Sequence, residues 1–247
     1  MLGNDRSPHV PDASAVPRWD AAMRFLRTYH AYEVIGADRV PRTGGVLVAS
    51  THSLATYENF LLGSIATELL GRRPYIVGDD LMFRIPFLGT AMREIGLISR
   101  DRDAVVELLR KGEIVGLGPG GMRESVRSSR HKYRFDWTGR LGFVRVSMLS
   151  GAPIVLAACP KADDIYTVYD SPATAWAYRR LKIPLVLFRG VGPTLVPRPV
   201  KLLHVLGEPI YPPVPPERVR DEDVERHHRY VVDRMTEHMS AAIALGS

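Results

Sequence analysis

One cysteine, Cys159, stands among 247 residues. That excludes an intrachain disulfide and fits a reducing compartment. Long apolar runs are missing too. The longest, Ala152–Ala158, falls far short of the roughly 18 residues that a membrane span needs. The opening MLGNDRSPHVPDAS holds acids and prolines but no apolar centre, which argues against a signal peptide. There is no internal repeat, and the one biased tract is the proline-rich Pro209–Pro216. The eight histidines are scattered, and the His227-His228 pair reads as part of a charged helix face, so neither a metal nor another cofactor is expected. Neither Ser53 nor Ser125 lies in a G-x-S-x-G elbow, which weighs against a serine hydrolase.

What is present is positive charge and an alternation of short apolar runs with amphipathic ones. Lys and Arg outnumber Asp and Glu by 33 to 27, a net charge of +6. Such a chain suits an anionic partner: nucleic acid, a phosphorylated ligand or an acidic membrane surface. The stretch Arg123–Arg145 is the most basic. It carries no recognisable nucleic-acid module, and a charge run is more often a solvated face, so no nucleic-acid partner is expected. The length suits one domain, here 17–247, preceded by a flexible tail, 1–16.

The periodicity predicts a first helix from Pro17 to about Ala31, with Trp19, Met23, Leu26 and His30 on one face. Its aromatic and basic residues suit either a membrane surface or ordinary packing. Strands are predicted at 32–37, 46–49, 75–77, 96–99, 113–117, 153–158, 183–188 and 201–206. Helices are predicted at 57–70, 102–111, 139–150 and 217–244, the second capped by Asp101. The last helix should turn Val224, Val231, Met235, Met239 and Ile243 inward. The alternation argues for an α/β fold: a mixed, largely parallel central sheet flanked by helices, in a single domain. Leu81–Met92, apolar and broken by Pro86, reads as core or as one wall of an apolar slot.

The chemistry gathers around one strand end. Val46–Ala49 delivers the polar knot Ser50-Thr51-His52-Ser53, and Glu58 follows six residues after His52. A histidine at a strand end with a carboxylate nearby is the layout of an oriented general base. A capping histidine and a first-turn glutamate facing the helix dipole would look the same. Ligands of parallel sheets gather at the strand carboxyl ends, which would set His52, Arg100 and the Gly118–Ser125 loop on one edge. Gly116, Gly118 and Gly121 also match a dinucleotide fingerprint, with Asp136 downstream. Pro119 inside the turn and the lack of a clean strand leading to Asp136 count against it.

Together these blocks resemble the glycerolipid acyltransferase superfamily, and within it the diacylglycerol acyltransferase type 2 branch with its bacterial relatives. The resemblance spans about residues 25–243 and is strongest over Arg93–Ser125, with Gly96–Arg100 leading, through a helix and a strand, to Pro119-Gly120-Gly121-Met122-Arg123-Glu124-Ser125. Gly151–Cys159 and Leu203–Ile210 look like further family blocks. The resemblance implies a glycerol-3-phosphate acyltransferase-like fold and His52 as catalytic base of an H-x4-D or H-x5-D motif. The acid here is Glu58, with Tyr57 one place before it. It implies that Glu58 holds the His52 ring, and that Gly120 and Gly121 amides meet an oxyanion or a phosphate. It also implies that Arg100, Arg123 and the neighbouring Glu124 belong to the substrate or phosphate site. The implied co-substrate is acyl-CoA or acyl carrier protein, the acceptor a lysophospholipid or acylglycerol-like hydroxyl. The implied setting is lipid metabolism and phospholipid biosynthesis at the cytoplasmic, inner face of an anionic membrane, attached peripherally. The alternative is a catalytically silent lipid- or nucleotide-binding protein of the same fold.

Overall fold

A computed structural model of the chain describes residues 16–78, 96–170 and 186–246. The expected tail up to residue 15, the apolar segment 81–92 and the start of the predicted strand at 183 lie outside these. The described chain runs as α1 (Val16–Tyr29), β1 (Glu33–Ile35), β2 (Val46–Ser50), α2 (Tyr57–Leu70), β3 (Pro74–Val77) and β4 (Leu97–Ile98). It continues as α3 (Arg102–Arg110), β5 (Ile114–Leu117), the one-turn α4 (Met122–Ser125), α5 (Gly142–Ser150) and β6 (Ile154–Ala158). The last elements are β7 (Thr167–Val168), β8 (Phe188–Arg189), β9 (Leu203–Leu206) and α6 (Asp221–Leu245).

Seven strands form one sheet in the order β1-β9-β6-β2-β5-β3-β4. From β6 to β4 every pairing is parallel, and β9 pairs antiparallel to β6 while β1 runs parallel to β9. The sheet is therefore mixed and largely parallel, as its alternating sequence pattern argued. β7 and β8 make a separate antiparallel pair.

Side chains on β2 alternate between the two faces, as a pleated strand requires. Leu47 and Ala49 join the larger core with α3, α5 and α6, through Val105, Leu109, Val144, Met148, Val231 and Met235. Val46 faces the other way, into a smaller core with Ala66 and Leu70 of α2. Helix α1 closes that side through Met23, Leu61, Cys159 and Leu202.

Local rules set the element ends. Asp101 caps α3, its carboxylate accepting from the Asp103 and Ala104 amides at 3.0 and 3.3 Å. Helix α6 starts at Asp221, later than its periodicity suggested. Pro215 and Pro216 open a separate 3-10 turn, and the Asp223 carboxylate accepts the Arg220 amide at 3.2 Å where the true helix begins. Helix α5 starts at Gly142 and not Gly139, because Gly139 is left-handed. Of the predicted strand over 183–188, only Phe188 lies in a described strand.

Two inward assignments are corrected. Ile243 is exposed at 38%, and Ala242 takes its place in the seam of α6. His227 and His228 are buried, not on the charged face. His228 Nε2 lies 2.9 Å from the Trp137 carbonyl oxygen.

Candidate active site

The carboxyl ends of β2, β5, β3 and β4 share one edge because these strands are mutually parallel. His52 lies just beyond β2, the Gly118–Ser125 turn beyond β5 and Arg100 beyond β4. Strand β4 is three places from β2. At about 4.8 Å per strand that is ~14 Å between the two strand axes.

His52 is buried, and its Cδ2–Nε2 edge presses on the backbone of Gly118. A Cβ on Gly118 would lie 2.3 Å from Cδ2 and 2.6 Å from Nε2. Gly120 is needed for a parallel reason, since a Cβ there would lie 1.8 Å from Glu124 Oε2. Gly118 and Gly120 thus make room for a histidine and a glutamate, and of the three glycines in the dinucleotide spacing Gly118 is the one that His52 requires. The helix that follows is only four residues long, and Asp136 caps a turn by accepting the Thr138 amide.

Two buried glutamates hold the histidine segment by consecutive backbone amides. The His52 amide donates to Glu124 Oε1 at 3.0 Å, and the Ser53 amide donates to Glu58 Oε1 at 2.8 Å. Glu58 Oε2 also accepts the Ser53 hydroxyl, and Glu124 Oε2 accepts Trp137 Nε1 at 3.2 Å. Glu58 makes no hydrogen bond to the His52 ring, contrary to the role expected of it, and clamps Ser53 instead; each Glu124 oxygen accepts a bond from within the protein. The His52 Nδ1 atom is buried with no hydrogen-bond partner among the described residues.

Tyr57, in the fifth place after His52, turns away to His30, whose Nε2 lies 3.0 Å from its hydroxyl. The longer spacing to Glu58 is taken up by a 3-10 turn at Leu54–Thr56 and by Thr56 itself, left-handed at φ 61° and ψ 28°. The Gly121 amide is spent within its turn, donating to the Gly118 carbonyl at 3.1 Å. Of the two glycines singled out, Gly120 keeps its amide out of that bond. Arg123 and Arg100 are both exposed.

Two residues of this site carry no motif that would flag them in the sequence. Arg127 pairs with Asp163, Nη2 lying 2.7 Å from both carboxylate oxygens, and its charge is felt by His52. Trp137, fully buried, supports Glu124 from below. Both lie in the basic stretch, whose charges are largely met internally: Lys132 by Asp164 and Arg145 by Asp221. Burial, with Arg127 adding to it, lowers the His52 pKa to about 4. Burial raises Glu58 and Glu124 to about 7 despite the hydrogen bonds they accept.

An apolar cleft opens beside this site. It runs between α2 and the sheet, past Val48, Leu62, Ala66, Leu69, Ile76 and Leu117. Its volume is about 740 Å³, counting the part open to solvent. Ser50, Thr56, Asn59 and Gly118 form its polar end, against His52.

An α/β sheet with a histidine at the end of a parallel strand and a glycine turn folded against it matches one known family. The family profile described as Acyltransferase covers residues 31–159, and the chain belongs to that family. Among individual proteins, it is similar to the human DGAT1/2-independent enzyme synthesizing storage lipids. Identity is 26% over 217 residues, 84% of this chain and 64% of that one. An uncharacterized protein of Mycobacterium tuberculosis strain H37Rv is 29% identical over 192 residues, 75% of this chain and 54% of that one. The chain thus spans between half and two thirds of the length of these relatives. In fold it resembles the crystal structure of the 1-acyl-sn-glycerophosphate acyltransferase PlsC from Thermotoga maritima. The TM-score is 0.53 at 15% identity, over 92% of this chain and 80% of that one.

Proposed function

We propose that the protein is an O-acyltransferase. It moves a fatty acyl group from a thioester, acyl-CoA or acyl carrier protein, to a hydroxyl of a lysophospholipid or acylglycerol-like acceptor. The observation that carries this reading is a buried His52 packed against Gly118, which itself lines the polar end of an apolar cleft. A base must be neutral to work, and this one stays neutral far below physiological pH.

The chemistry needs no covalent acyl-enzyme. His52 accepts the acceptor's hydroxyl proton as the oxygen attacks the thioester carbonyl. The tetrahedral intermediate collapses, the carbon–sulfur bond breaks, and the thiolate leaves and takes the proton back from the imidazolium. A thiol pKa of about 8.5 makes that departure easy. Cys159 is buried and its thiol pKa is pushed up by burial, so it is not the nucleophile. The Gly120 amide is a candidate oxyanion donor. Arg123 and Arg100 receive phosphates of the acceptor or of coenzyme A. The cleft under α2 takes the acyl chain.

The second reading, a catalytically silent binder, also has an observation in its favour: among the described residues no carboxylate hydrogen-bonds to the His52 ring. One panel separates the two. Purified protein is given acyl-CoAs of graded length with lysophospholipids, mono- and diacylglycerol or long-chain alcohols, and free thiol is followed. Acceptor-dependent release supports the transferase and names its acceptor. Ligand binding with no release from any donor, acyl carrier protein included, supports the silent protein.

Among the described residues no helix is long and apolar enough to cross a membrane. A lipid acceptor together with a net charge of +6 supports peripheral contact with the inner, anionic face of a bilayer.

A further inference from the structure

The loop Gly190–Pro197, GVGPTLVP, carries no charge and is bracketed by Arg189 and Arg198. Its apolar side chains point outward: Val191 is 44% exposed, Leu195 64% and Val196 53%. Single exposed apolar residues are ordinary, but three on one short turn are not. The backbone of the turn is closed on itself. Gly190 N–H donates to the Thr194 carbonyl at 2.7 Å, Val191 N–H to the Val196 carbonyl at 2.8 Å, and Thr194 N–H to the Val191 carbonyl at 3.1 Å. Val196 N–H donates to the Thr194 hydroxyl oxygen at 3.2 Å. Four of the turn's six amides are thus satisfied internally, which lowers the cost of leaving water at a bilayer surface.

Its surroundings extend the surface. The Tyr29 hydroxyl donates to the Pro197 carbonyl at 2.7 Å, fixing the loop to α1. One turn back on α1, Phe25 stacks on Tyr29 and is 67% exposed, with exposed Arg24 beside it. Arg189 is exposed at the base of the loop. On its inner side, Phe188 packs edge-on against Tyr166. Tyr166 in turn shares a small polar recess with Arg127 and Glu124, the residue that holds the His52 amide.

We propose that the loop 190–197 is a wedge that seats the protein on an anionic lipid bilayer. Val191, Leu195, Val196 and Phe25 enter the interface, and Arg24 and Arg189 lie at the level of the phosphates. This deepens the reading of a lipid acceptor, for it turns the flank of the site toward the membrane. The test does not pass through turnover.

Leu195→Cys is labelled with an environment-sensitive fluorophore, the native Cys159 being buried, and mixed with vesicles of phosphatidylcholine and phosphatidylglycerol (3:1). The expected result is a severalfold, blue-shifted rise, quenched by brominated lipids. The same label at Tyr230→Cys, on α6 in the opposite layer, stays unchanged. The triple variant Val191→Ser, Leu195→Ser, Val196→Ser should lose vesicle flotation at least tenfold with its melting temperature kept. It should also keep turnover of a water-soluble short-chain pair. Wild type that does not float, flotation that survives in the triple variant, or a fluorescence rise without vesicles from a second copy of the chain would each overturn the wedge. Absence of turnover with flotation intact would count against the transferase alone.

Discussion

His52 and the two glutamates divide labour in a way their spacing conceals. Among the described residues the buried Nδ1 of His52 has no partner, and no carboxylate selects its tautomer. Its orientation comes instead from contact with Gly118 and from the Glu124 bond to its amide. Glu58→Gln can still accept the Ser53 amide and offers its NH2 to the Ser53 hydroxyl. Its kcat/KM should therefore stay within about threefold of wild type, whereas loss of a ring-orienting carboxylate costs ~10⁴-fold in serine proteases. Steady-state kinetics on the purified variant decides this. The pH profile follows from the same burial. With His52 held at about 4, kcat/KM in wild type should stay level down to about pH 5 and fall only below that, not at the usual 6.5. Stability should carry the glutamates' signature. Their folded pKa of about 7 lies above the usual value, so the unfolded chain gives up its protons first as pH rises. Stability is then highest below about pH 4.5 for these groups and falls as pH rises from there to about 7, levelling off above it, by on the order of 3 kcal/mol for each. His52 works the other way, its contribution fading as pH drops from 6.5 toward 4. Denaturant melts across pH 5 to 8 should show a shallower alkaline loss in Glu58→Gln than in wild type.

Elements explain what single residues do not. Thr56 stands at the start of α2 in a left-handed conformation that a β-branched residue adopts at a cost of about 1–2 kcal/mol. Asn tolerates that region better, so Thr56→Asn should raise stability by roughly 0.5–1 kcal/mol, read from urea unfolding. This left-handed step, with the short turn before it, aims Glu58 at Ser53. Sequence spacing could not reveal it, because one extra residue looks the same whether it lengthens the reach to the ring or redirects it. Gly116 of β5 lines the cleft, and a Cβ there meets nothing closer than 3.8 Å. Gly116→Val should fold, since a β-branched residue suits a strand, and should fill part of the cleft. The expected outcome is a tenfold or greater loss of kcat/KM for sixteen-carbon donors with four-carbon donors nearly unaffected. Equal loss at every chain length would place the acyl chain elsewhere.

At the scale of the whole molecule, local signals were legible and long-range pairings were not. The Asp101 cap, the strand that ends at His52 and the alternation that makes an α/β sheet all depend on neighbours in sequence. The reversal at β9 depends on pairing with β6, some fifty residues away, and nothing in LHVL announces its direction. His227 and His228 read as surface because α6 is charged all along; only the packing of Trp137 and Phe143 draws His228 inside. Glu124 read as a ligand of phosphate because its partners, the His52 amide and Trp137, come from other parts of the chain. The family match and the shared fold agree with the largely parallel α/β sheet that the alternation predicted. The central claim is that His52 takes the acceptor's proton. Its most direct test is a single-turnover measurement of ester product, by mass spectrometry, for wild type and His52→Ala with matched circular dichroism and melting curves. The account predicts product within one turnover for wild type and at least a 10³-fold slower appearance in the variant; equal rates in the two would contradict it.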